Sequence, residues 1–350
     1  MPGTWETQNK VLPGAYINLI TNTPLSVTAG SRGVVVIPQE LSVGAEGTIY
    51  TITATEANYP EGATAADKKL VNVALLGAQK VLLYKLPSNH TDDHIEAMLE
   101  KLKTEDFNVL AYPYEKSTTS ASTAKQIIAT WIKAMEDEEG KNVTAALMDY
   151  AADSEYVISS NQGVTMSDGS TLTAAETVAW VGGVTAGAKI TESNTAKKFV
   201  GAIDVSPRMT KSEKEAAVKA GKFILDVDKS QNVTVVADIN TLTSTTQRKG
   251  SIMKQNRSVR TACGIREDID NLWVSSVNGK YDNDPDGQTI LKTALIDYFN
   301  GMARRKAING FDSDKIVIAD GVEINAVTVD VAVRLLGSME FAYINVNLNR

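Results

Sequence analysis

Cysteine and histidine are nearly absent from this chain: one Cys, Cys263, and two His, His90 and His94, in 350 residues. A lone thiol excludes an internal disulfide framework and fits folding in a reducing compartment. Two neighbouring histidines weaken every acid–base mechanism built on imidazole. Long hydrophobic runs are missing too. None approaches the roughly 18 residues that cross a bilayer, and the opening Met1-Pro2-Gly3-Thr4-Trp5-Glu6 lacks the basic-then-apolar order of a secretory leader. Positive charge is also scarce: 35 Lys and Arg stand against 42 Asp and Glu, a net charge of -7. A nucleic-acid binder needs a basic face to neutralise phosphates. The densest basic run, Arg304-Arg305-Lys306, falls where a helix should end and reads as cations complementing the helix dipole. Neither nucleic acid nor membrane insertion is expected.

Motifs that would carry chemistry are equally thin. There is no G-x-S-x-G elbow and no phosphate-loop lysine. His90 and His94 have the i, i+4 spacing of paired metal ligands, but Asn89-His90-Thr91-Asp92-Asp93 reads better as a helix start capped by Thr91. Asp282-Asn283-Asp284-Pro285-Asp286-Gly287 resembles half a calcium loop; its twelfth position is Thr293 rather than a bidentate Glu, so a turn into a helix is expected. Gly182-Gly183-Val184-Thr185-Ala186-Gly187 follows a helical pattern rather than a strand, which suits close helix packing and not a phosphate cradle. Cys263 is expected to be buried and inert. Asp149 and Asp153 form a carboxylate pair that nothing singles out. No catalytic residue, cofactor or metal site is expected.

What the chain does have is a pair of charge-poor, alternating segments near its ends. Ala15-Tyr16-Ile17-Asn18-Leu19-Ile20 follows the turn signal Pro13-Gly14. Phe341-Ala342-Tyr343-Ile344-Asn345-Val346-Asn347-Leu348 sets Ala342, Ile344, Val346 and Leu348 on one face and Tyr343, Asn345 and Asn347 on the other. Period-two alternation is the mark of a half-buried strand. Strand ends are usually blunted by charge or proline; here Asn takes that place, leaving open edges suited to a strand from another chain. This points to a subunit that polymerises through arms 1–22 and 337–350, with Pro24, Gly337 and Ser338 as hinges to the body.

Between the arms, short apolar strands alternate with amphipathic helices: strands at 33–38, 48–52, 81–84, 109–112, 143–148, 156–159 and 199–203, helices at 65–79, 92–103, 121–136 and 174–187. That rhythm predicts α/β architecture with a mostly parallel sheet flanked by helices. The second half reads as α+β. A capping box at Thr210-Lys211-Ser212-Glu213 opens a helix ending at Gly221. A hairpin over 223–237, helices over 247–272 and 286–302, and strands at 315–319 and 327–335 follow. The boundary is placed near Pro207, giving parts 23–206 and 207–336.

Several short segments, in order, resemble those of contractile-tail sheath proteins of phages and R-type bacteriocins. They are Leu12-Pro13-Gly14-Ala15-Tyr16-Ile17-Asn18; Ala179–Gly187 with Ile190-Thr191-Glu192-Ser193-Asn194-Thr195; Val235–Thr243 with its Asp238-Ile239-Asn240-Thr241-Leu242-Thr243; and Val329–Val333 with Gly337-Ser338-Met339-Glu340-Phe341-Ala342-Tyr343-Ile344. The resemblance implies a structural subunit, not an enzyme. Copies would stack as hexameric rings in a helical homopolymer around a tail tube protein, with baseplate and tail terminator proteins at its ends, and contract to drive the tube through a cell envelope. It implies assembly in the bacterial host cytoplasm, in a virion tail or a released tail-like particle. It further implies that the arms exchange strands and that 207–336 is an inner part facing the tube, with 23–206 outside. Taken alone, the first half would also suit a doubly wound α/β enzyme or small-ligand-binding protein, its site at strand ends near Tyr84, Tyr112 and Met148. Tube proteins are much shorter β-barrels, which the helical content disfavours.

Overall fold

A computed structural model describes residues 32–54, 57–115, 119–246 and 249–346. The predicted N-terminal arm, with Ala15 to Ile20 and Pro24, and residues Asn347 and Leu348 of the other arm lie outside the described residues.

The first half follows the predicted alternation: β1 (Val34–Glu40), β2 (Ile49–Thr53), α1 (Ala65–Leu75), β3 (Lys80–Leu86), α2 (Asp92–Leu102), β4 (Val109–Tyr112), α3 (Thr119–Glu138), β5 (Thr144–Met148) and β6 (Val157–Ser160). These strands form one sheet in the order β2-β3-β1-β4-β5-β6. All neighbours run parallel except β2, which lies antiparallel at the edge beside β3. The strands read as apolar runs because helices cover both faces: β4 and β6 are buried at every position.

Next come β7 (Gly163–Met166), β8 (Thr171–Leu172), α4 (Ala174–Gly187) and β9 (Ala202–Ser206). The stretch at 199–203, predicted to continue the alternating series, instead begins β9 at Ala202, in a small antiparallel sheet ordered β8-β7-β9. Gly201, at φ +86°, turns the chain just ahead of it, and Phe199 is left to stack on Trp180, ring centroids 4.2 Å apart. Helix α4 is buried on nearly every side. Its glycines are what let it lie so close to its neighbours. A β-carbon on Gly183 would come within 2.2 Å of the Ala74 carbonyl oxygen, and one on Gly182 within 2.7 Å of the Ala111 methyl.

The second half comprises α5 (Lys211–Lys219), β10 (Leu225–Val227), β11 (Val233–Val235), α6 (Asn256–Leu272), α7 (Pro285–Arg304), β12 (Ile308–Asn309), β13 (Val317–Asp320), β14 (Val327–Asp330) and β15 (Arg334–Leu335). The helix predicted from 247 starts only at Asn256, after a 3₁₀ turn over Ser251–Lys254 and an extended Gln255. The single strand predicted over 327–335 is two short ones: β14 pairs with β13, and β15 with β12. Residues 341–346 form no strand within the chain.

Among the described residues there are three apolar cores. One lies on each face of the large sheet. The first takes in Phe223, Leu225, Val233 and Val235, so packing runs unbroken past Pro207. The third is built by α6, α7 and the strands after them, around Leu291, Leu295, Phe299 and Met302.

Candidate assembly interface

The side chains singled out for chemistry are used structurally. His90 is buried, its Nδ1 2.6 Å from Glu40 Oε1 and its Nε2 2.8 Å from the Tyr112 hydroxyl. The Glu40 N–H donates to the Tyr114 hydroxyl at 2.7 Å. The rings of His90, Tyr112 and Tyr114 pack on one another at the carboxyl ends of β1 and β4, where an open α/β sheet would seat a ligand. His94 turns the other way, its Nδ1 accepting from the Thr91 N–H at 3.0 Å. Asp149 pairs with Lys222 at 2.7 Å. Asp153 accepts from the Ser244 N–H and the Thr243 N–H and hydroxyl, and those donors hold its carboxyl well below the usual range. Asp284 caps α7, accepting from the Gly287 N–H at 2.8 Å. Burial pushes the Cys263 thiol up to about 12, which keeps it protonated and inert near neutral pH.

A different constellation stands out. The segments around Asn194, Asp238 and Glu340, far apart in sequence, meet in one polar clasp at the start of α6. Asp238 is buried and forms an ion pair with buried Arg260 at 2.7 Å. Its carboxylate also accepts from the Asn194 N–H at 2.9 Å and from the Asn256 amide at 2.9 Å. Arg260 donates a second bond to the Glu192 carbonyl at 2.6 Å. The Thr195 hydroxyl accepts from the Asp238 N–H at 3.0 Å and donates to Glu340 Oε1 at 2.9 Å; Ser193 adds a donor to the same oxygen at 3.2 Å. One helical turn from Arg260, Arg257 donates to the Ser338 hydroxyl at 2.8 Å and to the Lys306 carbonyl at 3.2 Å. Burial, then the nearby Arg260 charge, lower the Arg257 guanidinium below its ordinary value, and the Glu340 carboxylate opposes both.

Past the clasp the chain lets go. Phe341 is 78 % exposed and Tyr343 96 %. Residues 341–346 make no hydrogen bond to any described residue through their backbone. Of the predicted arm residues, Phe341, Ala342, Tyr343, Ile344, Asn345 and Val346 all lie on this exposed stretch. Gly337 and Ser338 precede it, and Ser338 is tied to Arg257. Sequence reasoning missed Arg257 and Arg260, which read as ordinary polar positions on a helix. Their signal was indirect: charge on the buried face of an amphipathic pattern.

A second exposed apolar surface lies on the β13–β14 hairpin. The β13–β14 hairpin has no third strand among the described residues, and its valines are left open, Val317 by 56 % and Val329 by 38 %. Beneath it, Ile269, Leu295, Phe299, Val327 and Val331 line an open apolar groove of about 520 Å³. Such an edge and groove can accept an extended apolar segment through main-chain pairing and alternate side chains.

An open strand edge beside an exposed apolar segment suits a chain that pairs with other chains. The chain matches the family models for the phage tail sheath protein central domain over residues 89–241, the phage tail sheath C-terminal domain over 248–349 and the tail sheath protein Gp18 domain III N-terminal region over 32–86. It belongs to the phage tail sheath protein family. It is 30% identical over 270 residues to the phage-like element PBSX protein XkdK of Bacillus subtilis, covering 75% of this chain and 56% of that protein. To the tail sheath protein of Clostridium phage phiCD119 it is 28% identical over 267 residues, 75% of this chain and 73% of that one. The crystal structure of a sheath tail protein from Desulfitobacterium hafniense superposes with a TM-score of 0.77 at 26% identity, covering 92% of this chain and all (100%) of that one. The helical sheath of the anti-feeding prophage in its contracted state shares the fold, with a TM-score of 0.71 at 16% identity over 97% of this chain and 100% of that one.

Proposed function

We propose that this chain is the structural subunit of a contractile tail sheath, polymerising helically around a tail tube and contracting to drive that tube through a cell envelope. One observation carries the reading: a segment whose root is clasped to the body and whose next residues, Phe341 to Val346, all apolar but Asn345, are exposed and make no backbone hydrogen bond to any described residue. In the assembly this segment, and Ala15 to Ile20 at the other end, add as strands to neighbouring copies. The open β13–β14 hairpin and its groove are the acceptor. Each inter-chain main-chain hydrogen bond contributes roughly 1 kcal/mol net, and Ile344 and Val346 add apolar burial at about 25 cal/mol per Å².

The rest of the reading follows from this joint. Copies form stacked hexameric rings, with the part over 207–336 facing the tube, the part over 23–206 outside, and baseplate and terminator proteins at the ends. The subunit is not an enzyme and uses no cofactor. Contraction is a rigid-body rearrangement of bodies that stay linked through their arms, driven by surface buried between them. Assembly takes place in the bacterial host cytoplasm, and the product is a virion tail or a released tail-like particle.

Negative-stain microscopy of the purified chain, with and without its tube protein, tests this. Long tubes with an axial channel are expected. A monodisperse monomer that stays single at high concentration and beside tube protein would contradict it.

A further inference from the structure

The second body of the fold, made of α6, α7 and the strands after them, carries opposite charge at its two ends. At the start of α7 and the tip of the β13–β14 hairpin there is no Lys or Arg from Tyr281 to Leu291, or from Ile316 to Val333, while Asp282, Asp284, Asp286, Asp320 and Glu323 are all exposed. The two stretches are in contact: the Asn283 amide donates to the Ile324 carbonyl at 2.9 Å and to the Ala326 carbonyl at 3.1 Å, and the Gln288 amide to Asp320 at 2.7 Å. The tip is also closed on itself, the Gly321 N–H bonding to the Ala326 carbonyl at 2.8 Å. On this braced tip Val322 is 101 % exposed and Ile324 93 %. Two aliphatic side chains held rigidly in water, ringed by carboxylates, form a small docking knob.

At the far end of α7, a 20-residue helix and so about 30 Å away, Arg304, Arg305 and Lys306 are exposed, and Arg334 is exposed on β15. No Asp or Glu occurs from Tyr298 to Phe311 or from Val331 to Met339. Among the described residues, none of these cations is ion-paired, and neither are the carboxylates of the knob. Helix-dipole complementation accounts for a charge or two in the first and last turns of α7. It does not account for Asp320 and Glu323 on a hairpin tip, for Arg334 on another strand, or for the exposed Val322 and Ile324.

We propose that the knob of one copy docks on the basic end of the next, a head-to-tail contact between second bodies. A contact joining two different patches of identical chains does not close on itself unless the rotation happens to form a ring, so repetition yields a helical array. This rests on the sheath reading and adds to it a surface distinct from strand exchange, one that charge makes directional.

The test uses the full chain. Tip reversal (Asp320→Lys with Glu323→Lys) and end reversal (Arg304→Glu with Arg305→Glu) are each expected to lower tube yield in a sedimentation assay at least about tenfold, with melting lowered by no more than the loss of the Gln288–Asp320 bond explains. Combining both reversals should restore tubes, and Val322→Ser with Ile324→Ser should lower the yield without altering its salt dependence. Either charge reversal polymerising like the wild type, or the combination failing to restore tubes, would overturn the contact. So would a tip reversal that polymerises normally yet no longer sheathes the tube, since the knob's partner would then be the tube protein. A wild-type chain that forms no tubes would sink the sheath reading as well, so the two failures are separable.

Discussion

The α/β body and the region from Asn256 to Val346 solve the same packing problem to different degrees. In the first, apolar strands are covered on both faces, the edge strand β2 runs antiparallel, and a glycine-bearing helix is pressed into the remaining space. In the second, a hairpin lacks further strands among the described residues, a groove stays open beneath it, and apolar side chains on the terminal segment face solvent. The lesson is that exposed apolar surface here is local and organised. Among the described residues its most exposed members, Val322, Ile324, Met339, Phe341, Tyr343, Ile344 and Val346, gather on the hairpin tip and the terminal segment, where on the proposed reading another chain docks. Between the regions sits the clasp, which ties the root of the terminal segment to buried groups of the body and, on the proposed reading, holds that segment ready for a neighbour.

Substitutions should separate these roles. Asp238→Ala removes the partner of buried Arg260 and is expected to cost about 3–5 kcal/mol in chemical denaturation, because an unpaired charge is left inside. A loss below about 1 kcal/mol would show the pair to be peripheral. Gly183→Val should cost about 3 kcal/mol, since its side chain would overlap the Ala74 backbone and α1 cannot yield without disturbing the sheet. Glu340→Ala should cost only about 1 kcal/mol but largely abolish tubes, by freeing the root of the segment; normal assembly would break the link between clasp and function. Phe341→Ser with Ile344→Ser should change monomer stability by no more than about 0.5 kcal/mol while removing tubes, seen by melting and microscopy on the same samples.

Much of the finished half was legible in the sequence. Strands buried on both faces read as unbroken apolar runs, and the capping box at Thr210 forms as its spacing predicts, while the one at Thr173 is a finding of the structure. The small residues of α4 serve close packing, as their position in a helical pattern suggested. Less legible was anything decided by partners. The local pattern near Phe199 cannot tell which sheet it joins, and Gly201 diverts it. The late start of α6 at Asn256 reflects tertiary bonds, the Asn256 N–H and amide both reaching Asp238. The clasp was hidden for the same reason: Ser193, Thr195, Asp238 and Glu340 are ordinary polar residues until the fold brings them together.

The central claim is that residues beyond Glu340 serve neighbouring copies and not their own body. Truncation after Glu340, followed by thermal melting and electron microscopy of the same preparation, tests it most directly. The account predicts a monomer that melts like the full chain and forms no tubes. Tubes from the truncated chain, or a monomer that fails to fold without those residues, would contradict it.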